Sequence, residues 1–211
     1  MTEPDHTEII ERLASTDSDT AVAVAAIQRL GLRSLLDGNP VGIDDIAAQT
    51  GLSVDEVRAG VDSLMAAGRI EVDGDAILGV GGLTLTPTRH GLELAHVEMH
   101  TWCALDAIGI PAAFDLSARV TTSCPYCQAE IVVHLYAGRA TGPTGVVLFC
   151  PTGPCVDVRA DFCASANLFC NPGHLAAWRH TNGEPEGTVF DLDATAALGR
   201  QMWAPHTTDR Q

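Results

Sequence analysis

Residues 53–78 read SVDEVRAGVDSLMAAGRIEVDGDAIL, and this stretch decides the N-terminal fold. Ser53 stands where a helix N-cap belongs and Glu56 follows three positions later, the two halves of a capping box. Val54, Val57, Val61, Leu64 and Met65 then form one stripe at helical spacing, and Gly68 ends the run. Ile70-Glu71-Val72 and Ala76-Ile77-Leu78 flank Asp73-Gly74-Asp75, which predicts two short strands around a tight turn. Outward from there, Thr20–Leu36 repeats apolar residues at the same spacing (Val22, Ala25, Ala26, Leu30) and stops at Gly38-Asn39-Pro40. Between the two, Ile43–Gln49 reads as a short helix closed by Gly51. Three helices followed by a hairpin are the pattern of a winged helix-turn-helix.

Charge argues against DNA as the partner of that unit. The helix that would read bases, Val54–Ala67, offers Asp55, Glu56, Asp62 and a single cation, Arg58. Residues 1–95 hold 16 acids and 6 arginines, a net of −10. DNA readers present cations and amides to phosphates and base edges, so a winged shape used for packing fits better. The whole chain of 211 residues repeats the bias, with 27 acids against 12 cations, all arginine, for a net of −15. Such a surface repels nucleic acid and anionic lipid alike. The opening MTEPDHTEIIERL is acidic where a signal peptide would be basic, and no apolar run approaches the roughly 18 residues of a membrane span. A cytoplasmic protein with no membrane partner is expected.

The second half predicts a sheet with short helices. His96–Phe114 reads as an apolar helix broken near Pro111, and Arg119–Thr122 as a strand. Glu130–Ala137 alternates and Gly145–Phe149 is continuously apolar; the turn-rich Gly138–Thr144 between them predicts an antiparallel hairpin. Asp161–Leu168 suits either helix or loop, and Leu175–Arg179 and Ala194–Gln201 suit short helices. The expected class is α+β: a winged-helix-like unit, residues 1–80, packed on a mixed-sheet unit, residues 81–211.

All seven cysteines lie beyond residue 100, and their odd number does not suit a secreted disulfide framework. Four groupings could carry chemistry. In Trp102-Cys103-Ala104-Leu105-Asp106, helical spacing sets Cys103 and Asp106 on one face about 5–6 Å apart. An aspartate walled by Trp102, Leu105 and Ile108 would hold its proton toward neutral pH and could deliver it as a general acid; a buried structural thiol beside a surface aspartate is the plain alternative. Cys163, among small residues, would be ligand-accessible, and Cys170 would share its face if the segment were helical. Cys124 and Cys127 precede the first strand of the expected hairpin, and Cys150 and Cys155 lie at the end of the second. That convergence suits a structural zinc, with a Cys124/Cys127 redox dithiol or inert thiols as alternatives. His96, His100 and Cys103 would also share a helix face, a ligand set for a metal-responsive regulator, although no H-E-x-x-H base accompanies them.

Gly82-Leu83-Thr84-Leu85-Thr86-Pro87-Thr88-Arg89-His90, Trp102-Cys103-Ala104-Leu105-Asp106 and Asp157-Val158-Arg159 leading to Asp161-Phe162-Cys163 together resemble the alkylmercury lyases, in order and spacing, from about residue 20 to 180. The resemblance implies protonolysis of a carbon–mercury bond, giving a hydrocarbon and Hg(II). It matches Cys103 and Cys163 to the family's catalytic cysteines, Asp106 to its aspartate and Cys124 to a structural cysteine. It implies organomercury substrates, bound Hg(II) as product, no organic cofactor, and cellular thiols or a mercuric reductase as acceptor. Cys127, Cys150 and Cys155 are additions to the family pattern. A descendant that binds soft metals without cleaving anything is the other reading the resemblance leaves.

Overall fold

The computed structural model describes residues 9–10, 20–95 and 97–207. The elements of the winged unit form where expected: α1 (Ala21–Leu36), α2 (Ile43–Thr50) and α3 (Val54–Ala66), with β1 (Val41–Gly42) and the hairpin β2 (Ile70–Asp73) and β3 (Ala76–Val80). The buried face of α1 is Val24, Ile27, Leu32 and Leu35, while Val22 and Ala25 of the expected stripe, like Val54 and Met65 of α3, are exposed. The capping box at α3 is present, Glu56 N–H donating to Ser53 Oγ at 3.3 Å and Ser53 N–H to Glu56 Oε2 at 2.8 Å. Ile27, Leu35, Ile46 and Val57 are fully enclosed where the three helices meet. Arg58, the one cation of α3, is 2.9 Å from Asp75, so that helix offers carboxylates outward and its cation is already paired.

The hairpin does not end the sheet. β3 turns through Gly81-Gly82 into β4 (Leu83–Thr84), a two-residue loop in which both glycines hold positive φ, +63° and +97°. The strands β5 (Gly91–Leu94), β6 (Val97–Thr101), β7 (Ala118–Ser123), β8 (Glu130–Tyr136) and β9 (Arg139–Thr141) extend it in the order β1-β3-β4-β6-β5-β7-β8-β9, with β2 on β3. A second sheet of β10 (Val147–Pro151), β11 (Asn167–Phe169) and β12 (Gly187–Phe190) is ordered β11-β10-β12. Between the sheets lies α4 (Ala104–Ala113), with Ala104 to Ala112 all buried. The C-terminal α6 (Leu192–Thr207) packs against it so closely that a Cβ on Gly199 would come 2.1 Å from the Gly109 Cα. The ten-residue helix between β11 and β12 is α5 (Pro172–Thr181).

Three expectations are corrected. The predicted helix His96–Phe114 is a strand and then a helix: Met99 and Thr101 point inward while Glu98 and His100 alternate outward, and β6 pairs with β4 and β5. His96 lies outside the described residues, and with His100 in a strand the helical His/Cys face of the regulator reading is gone. Pro111 does not break α4, which continues to Ala113; it costs one hydrogen bond within a turn of the helix end, and packing on every side holds the rest. The predicted hairpin of residues 130–137 with 145–149 does not form. β8 takes the nearer β9 as its partner, and β10 joins the second sheet through Leu148↔Leu168 and Cys150↔Thr188. No described helix is long and apolar enough to cross a membrane.

Candidate active site

Cys103 is the N-cap of α4, in extended conformation, and Asp106 is the third residue of that helix. The Cys103 N–H donates to Asp106 Oδ2 at 3.1 Å, so the aspartate folds back over the helix start as an N3 acid does in a capping box. The ambiguous 161–168 segment resolves into a π-helical turn, Val158–Cys163, followed by β11. Asp157 caps that turn, accepting from Ala160 N–H at 3.0 Å, and Asp161 Oδ2 ties its start by accepting from Val156 and Asp157 N–H at 2.7 and 2.9 Å. Cys163, its last residue, thereby meets α4: the ligand atoms of Cys103, Asp106 and Cys163 all lie within 4.8 Å of one another, and all three residues are buried.

The juxtaposition is braced by polar contacts. Ala104 N–H donates to Ala166 O at 3.0 Å, pinning the helix start to the loop after Cys163. Thr122 on β7 contacts His90 Nδ1 at 2.9 Å, Arg89 Nε donates to His90 Nε2 at 3.2 Å, and Arg89 reaches Asn167, whose amide donates to Ala164 O at 3.1 Å. Burial, with the neighbouring Arg89 charge, pushes His90 down to about 3, so it stays a neutral link. This brace was not read from the sequence; the polar Thr88-Arg89-His90 run among apolar strands was the available signal.

Burial sets the protonation chemistry. It raises Asp106 to about 7, against hydrogen bonds from Cys103 that favour the carboxylate. It also pushes the Cys103 thiol well up, with help from Cys163 and Asp106. At Cys163 the hydrogen bond with Cys103 favours the thiolate, yet burial and the charges of Asp106 and Cys155 leave the thiol raised. The two thiols therefore keep their protons near neutrality, while the Asp106 carboxyl stands between its two forms and can take or give one, as a proton-transfer site requires.

A cavity of about 100 Å³ opens onto this cluster, lined by Gly82, Trp102, Asp106, Phe162, Cys163 and, from α6, Met202, Trp203 and His206. Cys163 and Asp106 line it, whereas Cys103 is fully buried and does not. The Gly81-Gly82 turn forms one edge, held by Trp102 N–H to Gly82 O and Trp203 Nε1–H to Gly81 O, both 2.9 Å. A Cβ on Gly82 would stand 2.5 Å from Asp106 Cγ, so only glycine leaves the carboxyl its place. Neither Gly82 nor the α6 wall was singled out in the sequence as shaping the site.

The remaining cysteines separate differently from the zinc set expected. Cys124 and Cys127 do not meet Cys150 and Cys155, because β10 runs in the second sheet rather than beside β8. Cys150 is buried in the middle of that sheet, and Cys155 lies in the neighbourhood of both Cys163 and Arg69. Instead Cys124 and Cys127 gather with Cys170 and His174, their ligand atoms all within 4.8 Å of one another. Cys170 thus parts from Cys163, with β11 between them.

The pattern of the family described as alkylmercury lyase matches residues 83–204, and that of the helix-turn-helix domain of alkylmercury lyase matches residues 6–81. An alkylmercury lyase of Streptomyces lividans is 30% identical over 175 residues, covering 81% of this chain and 79% of that protein. One from Staphylococcus epidermidis is 29% identical over 191 residues, covering 89% and 86%. A crystal structure of the mercury-bound form of MerB2 superposes with a TM-score of 0.84 at 20% identity, covering 95% of this chain and 98% of that one, a likeness of fold.

Proposed function

The chain belongs to the alkylmercury lyase family and is an organomercurial lyase, and from that premise we propose that Cys103, Cys163 and Asp106 carry the cleavage of its carbon–mercury bond. The observation behind this reading is the meeting of two thiols and one carboxyl, all buried, within 4.8 Å. Mercury(II) is soft and prefers thiolate. Cys163, which faces the cavity, takes R–Hg from a cellular thiol, and its own proton leaves on that thiol. Cys103 then gives its proton to the Asp106 carboxylate and becomes the second sulfur ligand. The added electron density weakens the Hg–C bond; the bonding pair stays with carbon, which takes the proton from Asp106 and departs as the hydrocarbon. Mercury remains as Hg(II) between the two sulfurs until cellular thiols or a mercuric reductase remove it. We place the reaction in the cytoplasm, where such thiols stay reduced.

The test is phenylmercury with excess thiol: benzene and Hg(II) are expected in equal amounts over many turnovers. One equivalent of bound metal with no benzene would leave a soft-metal binder. Asp106 must be ionised to accept the thiol proton, and its raised titration puts the acidic limb of kcat/KM near an apparent pKa of about 7, belonging to the cluster as a whole. A rate unchanged from about pH 5.5 to about 8.5 would contradict that assignment.

Gly82→Ala is expected to lower kcat by about 100-fold while the protein still folds, because the new methyl displaces the Asp106 carboxyl by a fraction of its contact distance. Steady-state benzene release measures it. An unimpaired variant would remove Gly82 as a positioning residue.

A further inference from the structure

We propose that Cys124, Cys127, Cys170 and His174 form a tetrahedral zinc site that clips the turn between β7 and β8 to the segment following Cys163. Zinc bound by sulfur at about 2.3 Å and nitrogen at about 2.0–2.1 Å defines a tetrahedron with S···S edges of about 3.8 Å and S···N edges of about 3.6 Å. Cys127 Sγ and Cys170 Sγ are 3.7 Å apart, Cys124 Sγ and His174 Nδ1 are 3.8 Å apart, and all four atoms lie within 4.8 Å. Two of the six edges of that solid thus already have their length, and the remaining separations between these donors from two distant stretches are within 4.8 Å.

The surrounding chain holds these donors in place. Cys124-Pro125-Tyr126-Cys127 makes a tight turn, Gln128 N–H donating to Cys124 O at 2.9 Å. His174 is fixed from both sides: its N–H donates to the Asn171 cap at 2.9 Å, and its ring packs on Tyr126 with centroids 5.1 Å apart. Three sulfurs with one imidazole and no open position match a closed structural site rather than a catalytic one. The site shares no residue with the mercury cluster, but Cys170 is joined to Cys163 through Ala164–Phe169, so zinc would anchor the far end of the short segment, including β11, that follows the catalytic thiol.

Protein produced in zinc-supplemented medium and purified under reducing conditions is expected to carry about one zinc per chain by elemental mass spectrometry. Exchange for cobalt(II) should give the visible bands of a tetrahedral ion with thiolate-to-cobalt charge transfer. Cys127→Ser, at an exposed position that leaves packing intact, should lose both zinc and the cobalt bands, and His174→Ala likewise; the double variant Cys103→Ser, Cys163→Ser should keep both. Metal-free wild-type protein that also gives no tetrahedral cobalt spectrum would overturn the proposal. So would a Cys127–Cys170 disulfide in the reduced preparation, metal retained by Cys127→Ser, or metal lost only from the Cys103/Cys163 variant.

Discussion

Replacing Cys103 or Cys163 by serine is expected to lower hydrocarbon release from phenylmercury by on the order of 10⁴-fold, as loss of a nucleophile that acts as part of a unit does. A hydroxyl occupies nearly the same space as a thiol, so the fold should survive; what is lost is the soft ligand. The two variants should differ in what remains. Cys103→Ser keeps the cavity-facing sulfur and should still capture one equivalent of phenylmercury, which then stays uncleaved on Cys163. Cys163→Ser leaves only the fully buried Cys103 sulfur, which does not line the cavity, and should capture slowly or not at all. Stopped-flow thiol exchange and mass spectrometry of the adduct separate them. A Cys103→Ser enzyme that turns over at the wild-type rate would show that one sulfur is enough.

Asp106→Asn is expected to abolish proton delivery, at a cost of about 10²–10⁴ in kcat, while making the protein more stable above neutral pH. The carboxyl titrates at about 7 in the folded chain, against 3.8 as the ordinary value. Between those two pH values the folded state keeps a proton the unfolded state has lost, so the unfolded state binds fewer and stability falls as pH rises through the window. The full penalty stands above pH 7, at roughly 1.4 kcal/mol per unit of displacement, a few kcal/mol in all. Asparagine cannot ionise, yet its side-chain oxygen can still accept the Cys103 N–H and cap α4. Urea midpoints at about pH 5 and about pH 8.5 should therefore fall with pH for the wild type and stay level for the variant. An equal decline in both would mean that the aspartate is not strained by its burial. A residue that weakens the fold it belongs to is a mark of a site held for chemistry.

The winged unit was legible because its signals are local: the Ser53/Glu56 box, the glycines that close α2 and α3, and the hairpin around Gly74 each act within a few residues. The pairing of the later strands was not. β8 could partner either following strand on local grounds, and the choice is made by tertiary contacts that put β10 between β11 and β12. The same misreading carried Cys150 and Cys155 into the wrong cluster. Residues 97–101, Val97-Glu98-Met99-His100-Thr101, do alternate as a strand does, and they read as helix only because they run straight into the apolar Ala104–Ala113. Cys103, Asp106 and Cys163 were found by motif, but their common site depends on the six-residue π-helical turn and the Arg89–Asn167 brace, which no spacing rule encodes. Cys170 and His174 lie four apart, a ligand spacing visible in the sequence, though nothing there joins them to Cys124 and Cys127.

Two of the three tryptophans, Trp102 and Trp203, line the cavity, while Trp178 packs on Phe149 and Phe169 away from it. A heavy atom beside an indole promotes intersystem crossing and dims its emission. The enzyme therefore carries its own optical reporter: intrinsic fluorescence should drop as the metal arrives and recover as it leaves, so occupancy can be followed in real time without a label.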